Sequence, residues 1–227
     1  MIYHQNFTGG RFEKYLNSIY KRAIKKIDGL IYTRKQAEIL HNNTLYIPDY
    51  PYDSEFYKRY DNEHKKNRVI CLGTMNRYKQ LEELVEIFND LDIPLDIYGR
   101  FDDKTRLNNL LKNKNENVTI CDCILSTEEY YQKLGETKYS ILPYNMQQYI
   151  DRTSGVLLES IYVGSIPIAP KKLLEQNDIQ GFGYEDLLDL KKVDWNNILY
   201  QDKLNAVLKE NDLRIKKNRM QSFFANS

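Results

Sequence analysis

The sequence predicts an α/β fold built on a parallel sheet. The first sign is alternation: from Arg68 to Pro170, short apolar strand-like runs take turns with runs of helical periodicity, the mark of strands joined by crossover helices. The second is a set of helix-start signals placed directly after the strand runs. Ser126-Thr-Glu-Glu129 is a capping box, and Thr153-Ser-Gly155 opens an apolar helical run.

Taken in order, the first sixty residues stand apart. Phe12, Tyr15, Leu16, Ile19, Tyr20, Ala23, Ile24 and Ile27 trace one apolar face of a helix, with lysines opposite. Two readings of this basic amphipathic helix stand: packing against a sheet, or docking on an anionic membrane surface. Gly29–Thr33 predicts a strand and Arg34–His41 a short helix. Tyr46-Ile-Pro-Asp-Tyr-Pro-Tyr-Asp53 breaks regular structure with two prolines.

From Arg68 the pattern is regular. A strand over Arg68–Thr74 precedes a helix near Tyr78–Leu91, in which Leu81, Leu84, Val85, Phe88 and Leu91 share one face. Strand Leu95–Gly99 leads to a helix capped by Asp102 or Asp103, with Leu107, Leu110 and Leu111 as its apolar stripe. Val118–Ile124 is a further strand, followed by the Ser126 helix. Lys138–Pro143 is the next strand; the Asp151 loop and its helix come after it, then strand Ser165–Pro170. Beyond Gly183 the chain reads as helical to its end, with Asp194 or Asn196 near a helix start.

Composition narrows the classes. The chain has 227 residues, enough for one large domain or for one domain and part of another. With 33 Lys and Arg against 32 Asp and Glu, no basic field points to nucleic acid. Cys71, Cys121 and Cys123 lie in strand-like runs and read as buried reduced thiols. Such thiols belong in the cytosol, which deprives the Asn-x-Thr triplets at Asn6, Asn42 and Asn117 of any glycosylation meaning. No apolar run approaches the roughly 20 residues of a membrane span, and no signal peptide opens the chain. A cytoplasmic protein is expected, with peripheral contact at the inner face of the membrane as the alternative.

One stretch carries chemistry. In Asp151-Arg-Thr-Ser-Gly-Val-Leu-Leu-Glu159 a helix start with a glycine offers free N–H groups and the positive end of a dipole, which suits a phosphate. The carboxylate of Glu159, further along the same helix, suits hydroxyls such as those of a ribose. Gly164-Ser-Ile-Pro167 then feeds a buried strand. Gly73 fits the close backbone approach of a phosphate. Gly99-Arg100 closes a strand at the edge where α/β ligands bind. Asp90-Leu-Asp92 is an Asp-x-Asp triplet at a helix-to-strand turn and reads as a solvated turn, so no metal site is expected.

The order and spacing of Val69-Ile-Cys-Leu-Gly73, Lys79, Leu95-Asp-Ile-Tyr-Gly99, Ile141-Leu-Pro143, Asp151…Glu159 and Gly164-Ser-Ile-Pro167 resemble the C-terminal, donor-binding domain of GT-B glycosyltransferases of the retaining group 1 family. The resemblance runs from about Arg68 to Leu187. It implies a Rossmann-like parallel sheet and a hexosyltransferase-type activity in polysaccharide or glycoconjugate synthesis. The sugar would pass from a nucleoside diphosphate, UDP or GDP, to a saccharide or lipid-linked acceptor, with no cofactor. It also implies donor binding by Gly73, Lys79, Gly99, Ser154 and Gly155, and a ribose contact from Glu159. Thr74 stands where the family has an Arg, and Arg77 is the candidate to replace it. Asp151 takes a position that is usually Glu, near the donor sugar, and His4 matches a His near the sugar–acceptor junction; both are candidate catalytic residues. Thr153 belongs to the phosphate-facing loop; Arg152 and Arg100 are either further cations at the donor or surface residues.

The same resemblance implies three segments. Residues 1–50 would be part of the acceptor-side domain and linker, 51–190 the donor-binding domain, and 191–227 helices that brace the two, through Trp195, Phe223 and Phe224. Most of the acceptor domain would be absent. That leaves a second reading, a non-catalytic nucleotide-sugar-binding subunit or truncated remnant that needs a partner chain; an epimerase of the same architecture ranks lowest.

Overall fold

The computed structural model describes residues 2–3, 15, 18–19, 22–23, 26–32, 43–47, 50–147, 154–196, 208–209 and 211–225. The chain divides into two compact units, Met1–Asp53 with Val207–Ser227, and Ser54–Ala206.

The first unit holds a parallel three-stranded sheet of β1 (Ile2–Tyr3), β2 (Leu30–Tyr32) and β3 (Thr44–Tyr46), in that spatial order. β2 is the strand expected at Gly29–Thr33; β3 escaped notice because it is three residues long and borders the Pro48 break. Leu30 and Leu45 are buried here. The C-terminal helix, Leu213–Ala225, belongs to this unit. Tyr52 N donates to Asn211 O at 2.7 Å and Leu213 N donates to Tyr52 O at 2.8 Å. One turn on, the buried Lys216 lies 4.5 Å over the Tyr46 ring, and its stem packs where a water-exposed lysine would not. Of the expected helix Phe12–Ile27, Tyr15, Ser18, Ile19, Arg22 and Ala23 are described and are helical. Tyr15 and Ile19, expected on a packed face, are exposed. The segment Arg34–His41 lies outside the described residues.

The second unit is a parallel six-stranded sheet. After the single turn α1 (Ser54–Tyr57) come β4 (Lys66–Leu72), α2 (Leu81–Asn89), β5 (Leu95–Gly99), α3 (Lys104–Asn113) and β6 (Val118–Asp122). Then follow α4 (Thr127–Gly135), β7 (Thr137–Ile141), α5 (Gly155–Tyr162), β8 (Ile166–Pro170), α6 (Lys171–Asn177) and β9 (Phe182–Tyr184). A 3₁₀ turn at Leu187–Lys192 closes the series. The spatial order β6-β5-β4-β7-β8-β9 reverses direction between β4 and β7, which is the Rossmann-like arrangement expected of the sequence.

The helix starts follow the capping chemistry of the sequence. Asp103, not Asp102, caps α3, accepting from Thr105 N and Arg106 N. Ser126 and Glu129 form the expected capping box. The one start that shifts is α2: Lys79 pairs with Tyr144 in an antiparallel bridge and Gln80 N donates to Pro143 O, so the helix begins only at Leu81. β9 is a strand the sequence reading did not anticipate, because Phe182–Tyr184 extends the sheet only alongside β8. Beyond it the described residues include the 3₁₀ turn Leu187–Lys192 and the helix Leu213–Ala225, in line with the helical reading past Gly183. Val69, Cys71, Leu84, Phe88, Ile97, Tyr139, Ile141 and Ile168 are buried in the core, where each large apolar side chain contributes about 1.5–3 kcal/mol. Leu111, expected in the α3 stripe, is exposed while Leu107 and Leu110 are buried. Trp195 packs within the second unit on Phe88 and Tyr139, at 5.8 and 5.3 Å between ring centroids. Phe223 lies against Gly29 in the first unit, and Phe224 is exposed.

Candidate functional site

The reversal between β4 and β7 leaves the C-terminal ends of these strands without a crossover helix between them, and that crevice is where open α/β sheets bind ligands. Residues from four loops meet around it. β4 ends at Gly73, whose φ of +100° is a conformation that only glycine adopts without strain. A β-carbon there would sit 3.7 Å from Lys79 Nζ and 3.9 Å from Val156 Cγ2. Gly73 therefore lies between the Lys79 ammonium and the first turn of α5.

Lys79 is 4% exposed. Its Nζ donates to Leu72 O at 2.7 Å, lies 3.7 Å from Met75 Sδ, and is 5.9 Å from the centre of the Tyr144 ring. Among the described residues no carboxylate pairs with it. Burial pushes its pKa below the ordinary lysine value, with the neighbouring Cys71 opposing that shift slightly. The same burial raises the Cys71 thiol. A buried ammonium satisfied by neutral acceptors alone is costly and is a ready partner for an anion.

Ser154 caps α5, accepting from Leu157 N at 3.4 Å. The Tyr144 hydroxyl lies 3.4 Å from Ser154 Oγ. Tyr144 thus touches both the helix start and the lysine. Arg106, on α3, holds the loop from the other side. It donates to Asn76 O at 2.8 Å and to Lys79 O at 2.6 Å, while its fork grips Glu82 with both nitrogens at 2.5 Å. Arg106 escaped sequence reasoning because its partners lie 24 to 30 positions away, and the Arg itself sits in an ordinary amphipathic helix.

Glu159 faces inward from α5 and is buried. Its Oε2 accepts from the Tyr130 hydroxyl and its Oε1 from the Tyr131 hydroxyl, both at 2.7 Å. Burial first, then the adjacent Glu159 charge, raises the Tyr130 pKa well above the ordinary phenol value. Both tyrosines therefore remain protonated donors at neutral pH. They follow the Ser126 capping box directly, a signal that marks a helix but not its partner on α5.

A cavity of about 330 Å³ opens beside these groups, lined by Gly73, Thr74, Gly99, Arg100, Cys123 and Tyr130, with Tyr98, Ile124 and Leu125. Gly99 is required for a reason other than ligand approach: a β-carbon there would fall 1.7 Å from Gly73 O. The two loop glycines pack against one another. Arg100 is exposed and 3.8 Å from Asp102. Arg77 is exposed against its neighbour Tyr78, 5.3 Å over the ring. Cys121 and Cys123 are half-buried, not buried as expected, and Cys123 reaches the cavity wall. Asp90 accepts from Lys191 at 2.7 Å, as a surface turn would.

The structure brings together Gly73, Lys79, Ser154 and Gly155, and places Gly99, Arg100 and the Tyr130 partner of Glu159 along the adjoining cavity. Arg77 stays on the surface. His4, Asp151, Arg152 and Thr153 lie outside the described residues. No helix among the described residues is long and apolar enough to cross a membrane.

No protein-family model matches this sequence, and no curated protein sequence matches it. Solved structures do. The chain is similar to AviGT4, a glycosyltransferase involved in avilamycin A biosynthesis, with a TM-score of 0.61, 10% identity, and coverage of 91% of this chain and 77% of that one. It is equally similar to the trehalose-6-phosphate phosphatase N-terminal domain of Candida albicans, with a TM-score of 0.61, 12% identity, and coverage of 94% and 62%. The α/β fold with its parallel six-stranded sheet matches the Rossmann-like GT-B fold of glycosyltransferases.

Proposed function

We propose that this chain binds a nucleoside-diphosphate sugar at the β4–β7 crevice and transfers the sugar to a saccharide or lipid-linked acceptor. The observation that carries the reading is Lys79: a buried ammonium beside Gly73 and the first turn of α5, bonded to a backbone carbonyl and a thioether sulfur. As a glycosidic bond to a nucleoside diphosphate breaks, negative charge builds on the leaving oxygens. A preorganised cation and a helix N-terminus stabilise that charge without reorganising.

In this reading Lys79 and the N–H groups at the Ser154 helix start hold the diphosphate, and Glu159 takes the ribose hydroxyls. The cavity at Gly99–Arg100 and Cys123–Leu125 takes the base, and Arg77 and Arg100 add long-range charge. The resemblance assigns Asp151 and His4 to catalysis and Arg152 and Thr153 to donor binding; all four lie outside the described residues. UDP and GDP are the expected carriers, retention of configuration is the expected outcome, and the hexosyl product belongs to polysaccharide or glycoconjugate synthesis. The likeness to a glycosyltransferase fold supports the reading.

Calorimetric titration of the chain with UDP, GDP, ADP and CMP tests it, repeated with Glu159→Ala. Micromolar binding of one nucleotide, weakened at least tenfold in the variant, is the expected result. A folded chain that binds none of the four overturns the proposal.

A further inference from the structure

Glu159 is not part of the cavity wall; Tyr130 is. The Tyr130 hydroxyl bonds the carboxylate, and Glu159 is 8% exposed. The two tyrosines on Glu159 differ in how firmly they are held. Tyr131 sits in an aromatic cluster, with ring centroids 5.0, 5.4 and 5.5 Å from those of Phe56, Tyr57 and Tyr60. Tyr130 meets Tyr131 edge-on at 5.0 Å and lines the cavity.

We infer that Tyr130 is a specificity-determining residue: its hydroxyl occupies Glu159 Oε2 until a ribose hydroxyl replaces it, while Tyr131 keeps the carboxylate fixed. The inference rests on the donor-site reading above and deepens it. A carboxylate in a buried site must be hydrogen-bonded at every stage. A nucleotide that carries the ribose diol returns to Glu159 the bond that Tyr130 gives up. One that lacks the diol leaves the oxygen unpaired if the tyrosine moves, or meets a closed wall if it stays. Tyr130 thereby sets how strongly the diol is preferred: because a ribose hydroxyl must displace a bond already made, the preference is smaller than a carboxylate without this competitor would impose.

The test compares UDP and GDP with their 2′,3′-dideoxy analogues by calorimetry on the intact chain, Tyr130→Phe, Tyr131→Phe and Glu159→Ala. Thermal unfolding first establishes that each variant is folded. Tyr130→Phe removes the competing hydroxyl, so the ribonucleotide should bind about three- to tenfold tighter while the dideoxy analogue changes less than about twofold. Tyr131→Phe should weaken the ribonucleotide, and Glu159→Ala should abolish the preference for the diol. If Tyr130→Phe weakens the ribonucleotide, or shifts both ligands equally, the exchange is refuted while the donor site stands. If the unmodified chain binds neither nucleotide, the donor-site reading falls and the exchange with it.

Discussion

Replacing Lys79 with methionine keeps the shape of the side chain and removes its charge, and so separates the two tasks a buried lysine can have. Two stability terms oppose each other. The variant no longer confines an ammonium that is 4% exposed, a burial that costs free energy and lowers the Lys79 pKa. It also strips Leu72 O of its 2.7 Å donor. Each term is of the order of 1–3 kcal/mol, so the net change should stay within about 1 kcal/mol of the parent. Binding has no such compensation. Charge-assisted bonds from the ammonium to a diphosphate contribute about 1.5–3 kcal/mol, so affinity for the nucleotide should fall about 10- to 150-fold. Urea unfolding reads the first quantity and calorimetric titration the second. A stability loss above about 3 kcal/mol with unchanged affinity would refute the reasoning and make Lys79 a structural residue.

Three further outcomes are expected. Gly99→Ala should cost about 3 kcal/mol or more, measured by urea unfolding, because its β-carbon meets backbone and not a flexible side chain, 1.7 Å from Gly73 O. Arg106→Ala should lower stability by about 1–2 kcal/mol and nucleotide affinity about three- to tenfold, since the loop Asn76–Lys79 loses two backbone bonds. Arg106→Lys should not restore it, as one ammonium cannot span two carbonyls and a carboxylate. The pH response should have opposite signs for binding and folding. The free-state pKa of Lys79 lies below 10.5, so affinity for a diphosphate should fall as pH rises through that lowered value, as the cation is lost. Over the same window up to 10.5 the unfolded lysine holds more protons than the folded one, so the contribution of this group to stability rises with pH. Titrations between about pH 7 and 10, with Lys79→Met as the flat control, distinguish the two.

What could be read from the sequence was local chemistry. The caps at Asp103, Ser126 and Ser154, and strand β5, depend on residues a few positions apart, and they fold as that chemistry requires. The features that escaped reading depend on partners brought together by the sheet. The α2 helix starts late because Lys79 meets Tyr144, 65 positions on, across the switch point. β9 needs β8 beside it before three residues can count as a strand. Glu159 was legible as a carboxylate on an apolar helix, but its two tyrosines lie 28 and 29 positions earlier, and nothing in their own helix marks them as its donors. Gly99 was legible as a strand-end glycine, yet its constraint comes from the carbonyl of another glycine.

The first unit is assembled from sequence on both sides of the segment Ser54–Ala206, with the Leu213–Ala225 helix joined to β3 by the Lys216–Tyr46 contact and to Gly29 by Phe223. During synthesis the segment Ser54–Ala206 is therefore complete before the helix that finishes the first unit has left the ribosome. The crevice-bearing sheet, contiguous in sequence, can close on itself while the small sheet of β1, β2 and β3 still waits for its last wall. Truncation a few residues before Lys216 would thus leave the early-finished unit intact and deprive the other of the Lys216–Tyr46 and Phe223–Gly29 contacts.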